Sequence, residues 1–123
     1  MPPSDDTDQV TILTPSTAGP DDYLIPDSDT HWYTEDEANA LSNEQLYFGR
    51  NEILARHHKG FNDPRLTSYF ESKSWYTMKY TPDEWMERYG DYTTPCNDTE
   101  RHNWDTFLLI ENDRNSPFLG DFQ

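Results

Sequence analysis

The chain has 123 residues, which is enough for one small domain, and it carries a formal net charge of −15 at pH 7. Such an acidic chain repels phosphate backbones, so we do not expect nucleic acid as a partner. The single cysteine, Cys96, excludes an internal disulfide and a cysteine-rich zinc scaffold. No run approaches the roughly 20 apolar residues that a membrane-spanning helix needs.

Charge and composition divide the chain into three parts. Residues 1–29 carry seven acids and neither Lys nor Arg, whereas residues 30–90 have ten acids against seven basic residues. Only 33% of all residues are hydrophobic and 15% are aromatic, so Tyr, Trp and Phe must supply much of the core. We therefore predict a disordered linker over 1–22, a helical domain over 23–113 and a frayed tail over 114–123.

The first structured elements are an extended segment and two helices. The run Tyr-Leu-Ile-Pro at 23–26 is apolar enough to pack on a core, and its proline keeps it extended, so we expect a strap. The sequence then predicts helices over 35–41 and 43–57, each begun by a capping-box pair. The pairs are Thr34 with Glu37 and Ser42 with Gln45. We expect the second helix to end at Gly60, in a left-handed conformation.

Three further helices follow. Asp63 and Pro64 begin one over 64–73, a short one carries Trp85, and the last covers 99–112. Alternation of apolar and polar residues never exceeds four positions, which disfavours strands. The predicted fold is all-α, with four to five short helices, an extended N-terminal strap and a disordered acidic N-terminus.

Many polar side chains lie near the end of the second helix, and two roles for them are open. In one, they tie loops to a helix in a domain too small to rely on apolar packing. In the other, they form a pocket for an anionic or sugar ligand. Glu52 precedes Arg56 by four residues, the favourable order for a helical ion pair. This polar cluster comprises Arg50, Asn51, Glu52, Arg56, His57 and His58.

Other candidate sites are weaker. Tyr80, Tyr89 and Tyr92 alternate with acids, as on sugar-binding faces, and are predicted to face a ligand. Three histidines (His57, His58 and His102) and Cys96 are possible metal ligands by type, but no His-x3-His or Cys-x2-Cys spacing occurs. The sequence therefore predicts no metal centre, no cofactor and no catalytic residue.

The order and spacing of several motifs resemble the YARHG domain family, named for a Tyr-Ala-Arg-His-Gly run. The corresponding run here is Leu54-Ala55-Arg56-His57-His58. The resemblance implies an extracellular module of a bacterial protein, found beside membrane anchors, kinases or peptidases. Because His58 replaces the family's glycine, we expect the helix to stop later. The other matching motifs are 23–29, Leu41-Ser42-Asn43-Glu44-Gln45-Leu46, Arg50-Asn51-Glu52-Ile53, Tyr69-Phe70 and Trp75-Tyr76.

We therefore expect a non-enzymatic extracellular accessory or binding module of a bacterial cell-envelope protein. It would act as a monomer and contact cell-wall glycan or an envelope protein. A purely structural spacer without a ligand site is the first alternative. A metal-dependent or hydrolytic module, centred on His57, His58 and Glu52, is the second.

Overall fold

The computed structural model describes residues 23–119, and within them the chain is helical, as predicted. The predicted linker over 1–22 and the last four residues, 120–123, lie outside the described residues. The only extended pairing in the described range is one isolated bridge between Lys59 and Tyr80. No helix within it has the length and apolarity needed to cross a membrane. The helices are α1 (Glu35–Asn39), α2 (Asn43–Ala55), α3 (Pro64–Glu71), α4 (Pro82–Tyr89) and α5 (Asp98–Arg114).

Side-chain caps begin every helix. Four capping boxes satisfy backbone N–H groups that the first turn leaves without partners. Asp63 caps α3 instead, with proline at the first helical position. Such caps contribute about 1 kcal/mol each, which matters in a domain with few aliphatic residues. The capping-box residues are Thr34, Ser42, Thr81 and Asn97.

The predicted end of α2 at Gly60 is wrong. The helix ends at Ala55, and the left-handed residue is His58, with φ of 74°. His58 also interacts through its ring Nδ1 with the Thr77 carbonyl at 2.8 Å, which favours this turn over a longer helix. Gly60 is needed for another reason, since a Cβ there would lie 3.0 Å from the backbone oxygen of Tyr80.

Helix α2 is the centre of the fold, because every residue from 46 to 55 is buried. One apolar cluster joins it to the strap, α1, α4 and α5, and includes Ile25, Trp85 and Phe107. The other joins it to α3 through Tyr47 and Phe70. The two sides of α2 thus hold the molecule together, and little of its surface is left for polar groups to reach water.

A close approach brings the strap onto α2. A Cβ on Gly49 would overlap the side chain of Ile25, which is itself only 4% exposed. The glycine therefore makes room for the strap in the middle of a helix, where its low helix propensity costs about 1 kcal/mol.

The chain remains packed after α5. Arg114 belongs to the helix and donates to the carbonyls of Asn39 and Leu41. Phe118 stacks on Tyr47 with ring centroids 4.9 Å apart. This segment closes the side of the domain formed by α2 and α3.

Candidate functional site

Arg50 forms an ion pair inside the domain. Its Nε lies 2.6 Å from Oε2 of Glu111, and the two side chains are 1% and 0% exposed. The guanidinium also lies over the rings of Tyr47 and Trp104. The interpretation in which the polar cluster ties loops to a helix predicts a loop carbonyl as the partner of Arg50. Its actual partner is a carboxylate on α5, which leaves Arg50 electrically neutralised.

Glu52 and Arg56 clamp the strap to α2. The Glu52 carboxylate accepts hydrogen bonds from the backbone N–H groups of Leu24 (2.6 Å) and Ile25 (3.0 Å). Arg56 donates to the carbonyls of Ile25 and Pro26, and its Nη2 lies 3.8 Å from Oε1 of Glu52. Burial raises the pKa of Glu52, although the two backbone N–H groups act against this effect.

The remaining members of the polar cluster also have partners within the domain. The amide of Asn51 donates to a carbonyl one turn earlier in α2. His57 pairs with Glu100 on α5 at 3.1 Å, and His58 contacts the 77–80 segment. The six side chains therefore reach three separate parts of the fold and do not converge on one open site.

A cavity of about 150 Å³ lies beside α2. Residues of α3 and α4 and the Trp104 side chain of α5 also form part of its wall. Only two members of the polar cluster, Arg50 and Asn51, line it. We call it the Lys59 cavity, after the charged residue that distinguishes it. The other residues that line it are Tyr47, Leu54, Phe61, Asn62, Asp63, Leu66, Pro82, Asp83, Met86, Tyr92 and Trp104.

Lys59 is a buried cation without an acidic partner in residues 23–119. Its side chain belongs to a residue only 6% exposed, and its Nζ donates to the Gly60 carbonyl at 3.0 Å. The ammonium lies over the rings of Phe61 (4.6 Å) and Tyr92 (5.6 Å). Burial and the positive charge of Arg50 lower the pKa of Lys59 to about 8. The group is still mostly protonated at neutral pH.

Two carboxylates line the cavity, the exposed Asp83 and the buried Asp63, and Asp63 is already bonded to other residues. Asp63 accepts from Arg65 at 2.8 Å and from the Tyr47 hydroxyl at 2.8 Å. These hydrogen bonds hold the pKa of Asp63 below its usual range although burial acts in the opposite direction. Asp63 therefore remains ionised and bonded to its own partners, and Lys59 supplies the uncompensated charge.

One of the three predicted ligand-facing tyrosines reaches the cavity. Tyr92 is 36% exposed and stacks on Trp104, with ring centroids 5.7 Å apart. Tyr80 and Tyr89 instead pack edge-on against Trp85. Whether any of the three contacts a ligand stays a prediction.

Sequence reasoning overlooked Lys59 and Trp104. The only sequence signal for Lys59 was a lysine directly after the polar cluster, between His58 and Gly60. Trp104, in α5, packs against the core and also lines the cavity. Whether a residue lines a cavity depends on tertiary contacts, and the sequence around Lys59 and Trp104 does not indicate them.

A second group of side chains, outside the Lys59 cavity, has the chemistry of metal ligands. One ligand atom each of His57, Cys96 and Glu100 lie within 4.8 Å of one another. Burial raises the pKa of Cys96 to about 12, so the metal-free thiol is protonated and unsuited to nucleophilic attack.

A protein-family model described as the YARHG domain matches residues 21–103. The match spans the strap, the polar cluster and Lys59, and ends one residue before Trp104. It confirms the resemblance drawn from the motifs. No curated protein and no solved structure matches the chain.

Proposed function

Because the chain belongs to the YARHG domain family, we propose that it is a non-enzymatic extracellular binding module of a bacterial cell-envelope protein. We place its ligand in the Lys59 cavity. The observation that carries the proposal is the buried Lys59 ammonium, which no carboxylate within residues 23–119 compensates.

The cost of burial is the first argument. Moving an ammonium out of water costs several kcal/mol unless an opposite charge and hydrogen bonds compensate it. Arg50 has the Glu111 carboxylate, and the charge of Glu52 couples to that of Lys73, the other buried lysine, whose Nζ has no hydrogen-bond partner within the described residues. The charge that acts on Lys59 is the positive one of Arg50, which is itself paired with Glu111. A bound anion would supply the opposite charge that residues 23–119 do not pair with Lys59.

The shape of the cavity restricts the ligand. Sites for whole drug-sized ligands are about 300–1,000 Å³. A cavity of about 150 Å³ therefore admits one substituent, such as a carboxylate with its neighbouring carbons, rather than a complete sugar ring. Tyr92, at the mouth, and Trp104 offer aromatic faces on which the adjoining apolar face of a sugar can stack. A cell-wall glycan carrying carboxylates matches this combination.

The structural-spacer alternative has support of its own. Every member of the polar cluster is bonded inside the domain, and Glu52 and Arg56 hold the strap. We assign that cluster to the stability of the fold. A spacer has no use for an uncompensated lysine beside a cavity, so the Lys59 cavity separates the two functions.

The proposal is tested by titrating the protein with soluble peptidoglycan fragments at pH 6.5 while following tryptophan fluorescence. We expect saturable binding to fragments with free carboxylates, and strong weakening when the same carboxylates are amidated. Trp104→Phe should remove most of the fluorescence change while retaining binding measured by calorimetry. Equal affinity for the acidic and amidated fragments would contradict an anion site. No binding to either would favour the spacer.

Two other parts of the proposal need separate measurements. Mass spectrometry of the fragments after prolonged incubation should show no cleavage; the Cys96 thiol, protonated because of its burial, is not prepared for nucleophilic attack. Protease treatment of intact cells that produce the full-length protein should remove the domain. Protection of the domain in intact cells would contradict an extracellular location.

A further inference from the structure

His57, Cys96 and Glu100 bring three kinds of metal ligand together. His57 follows α2, Cys96 precedes α5, and Glu100 lies in the first turn of α5. The His57 Nε2 is 3.1 Å from both carboxylate oxygens of Glu100, and a ligand atom of each residue lies within 4.8 Å of the others. Cys96 and Glu100 are 3% and 4% exposed, so two of the ligands are buried.

The donor set suits zinc. Zn²⁺ binds imidazole nitrogen, thiolate sulfur and carboxylate oxygen, with bonds of about 2.0–2.3 Å in a tetrahedral arrangement. Ligand atoms around such an ion are roughly 3.3–3.8 Å apart. Side-chain rotations that close the group by about 1 Å would therefore complete it. The His57 side chain is 30% exposed, so a water molecule can occupy the fourth position.

Two of the ligands are already held in place, Glu100 through its side chain and Cys96 through its backbone. Glu100 forms a capping box with Asn97, whose backbone N–H donates to Oε1 at 2.9 Å. The backbone N–H of Cys96 donates to the Thr93 carbonyl at 3.0 Å. Ligands positioned in advance lose less conformational entropy when an ion binds.

We propose that His57, Cys96 and Glu100 form a zinc-binding site that joins the end of α2 to the start of α5. Binding replaces the S–H bond of Cys96 by a bond from its sulfur to zinc, and the proton leaves to solvent. Nothing is oxidised or reduced. The site shares no residue with the Lys59 cavity and does not depend on it.

Sequence spacing did not reveal this site, for a geometric reason. Adjacent histidines such as His57 and His58 face different directions, and here they contact different segments. The other two ligands lie far along the chain, and folding alone brings them to His57. Spacing rules detect ligands that share one local motif, which this group does not.

The experiment uses the full chain, stripped of metal and titrated with Zn²⁺ or Co²⁺. We expect one ion per chain by native mass spectrometry, a thiolate-to-cobalt charge-transfer band in the near ultraviolet, and a higher melting temperature with Zn²⁺. Cys96→Ser should abolish the band and most of the affinity, and Glu100→Gln should weaken binding. His58→Gly serves as the matched control and should bind like the wild type.

Two results would overturn the proposal. One is the absence of zinc binding by the folded wild-type protein. The other is cobalt binding without a thiolate band, since cysteine would then not be a ligand. Both are read from the wild type, so they hold even if a variant fails to fold.

Discussion

Arg50 and Glu111 form a fully buried ion pair between α2 and α5, with 2.6 Å between Nε and Oε2. The Arg50 guanidinium also lies over the ring of Trp104, with 5.2 Å between Cζ and the ring centroid. Trp104 in turn lines the Lys59 cavity. The pair neutralises one of the two buried cations in this region. The other cation, Lys59, keeps its charge uncompensated.

The ion pair gives the first prediction. Arg50→Met leaves the Glu111 carboxylate buried and unpaired, so we expect a loss of about 3–5 kcal/mol in the free energy of unfolding. Replacing both partners, with Arg50→Met and Glu111→Leu, should cost much less than the sum of the two single changes. Urea denaturation of the four proteins measures this. Additive losses would show that the two charges do not depend on each other.

The second prediction concerns the pH dependence of stability. The pKa of Lys59 is about 8 when folded and 10.5 as its ordinary value, so between these pH values the unfolded chain binds a proton that the folded protein has released. The stability of the wild type relative to Lys59→Met should therefore rise as pH increases from 7 to 10, by about 1–3 kcal/mol. Urea denaturation of both proteins at each pH tests it. A difference that does not change with pH would contradict a depressed pKa.

The third prediction concerns the strap. Glu52→Gln keeps one acceptor for the N–H groups of Leu24 and Ile25 but places an amide donor against the other. We expect a loss of about 2 kcal/mol in stability and faster hydrogen exchange at these two amides. Glu44→Gln, near the start of the same helix, is the control and should change neither quantity. Unchanged exchange in Glu52→Gln would mean that the strap is held by apolar contacts alone.

The fourth prediction concerns the left-handed turn at His58. Both glycine and alanine at position 58 lose the ring contact with Thr77. Glycine adopts φ near +74° without a Cβ clash, whereas alanine keeps that clash. We expect His58→Gly to be about 1 kcal/mol more stable than His58→Ala in thermal denaturation. Equal stabilities would indicate that the turn carries no strain.

Local signals in the sequence predicted the helical fold well. Thr34 and Ser42 with their capping partners, and the Asp63-Pro64 start of α3, depend only on neighbouring residues and were confirmed. The predicted end of α2 was wrong because the sequence does not show that His58 contacts Thr77, which lies 19 residues further along the chain. This contact offsets the strain of a histidine in the left-handed conformation.

The candidate sites were harder to predict, because their properties depend on partners distant in sequence. No sequence pattern links Glu111 to Arg50, yet its carboxylate is the buried partner of that guanidinium. Lys59 stands out only once its burial is known and no ion pair to it is found within residues 23–119. Composition and periodicity describe which residues are apolar, and neither reports how buried charges are paired.

The most direct test of the account compares Lys59→Met with Lys73→Met. Both remove a buried lysine, but only Lys59 lines the cavity. Calorimetric titration with acidic peptidoglycan fragments at pH 6.5 should show binding to the wild type and to Lys73→Met, and none to Lys59→Met. Lys59→Met should also be at least as stable as the wild type, because an uncompensated charge has been removed. If Lys59→Met binds as tightly as the wild type, Lys59 does not hold the ligand, and the account is contradicted.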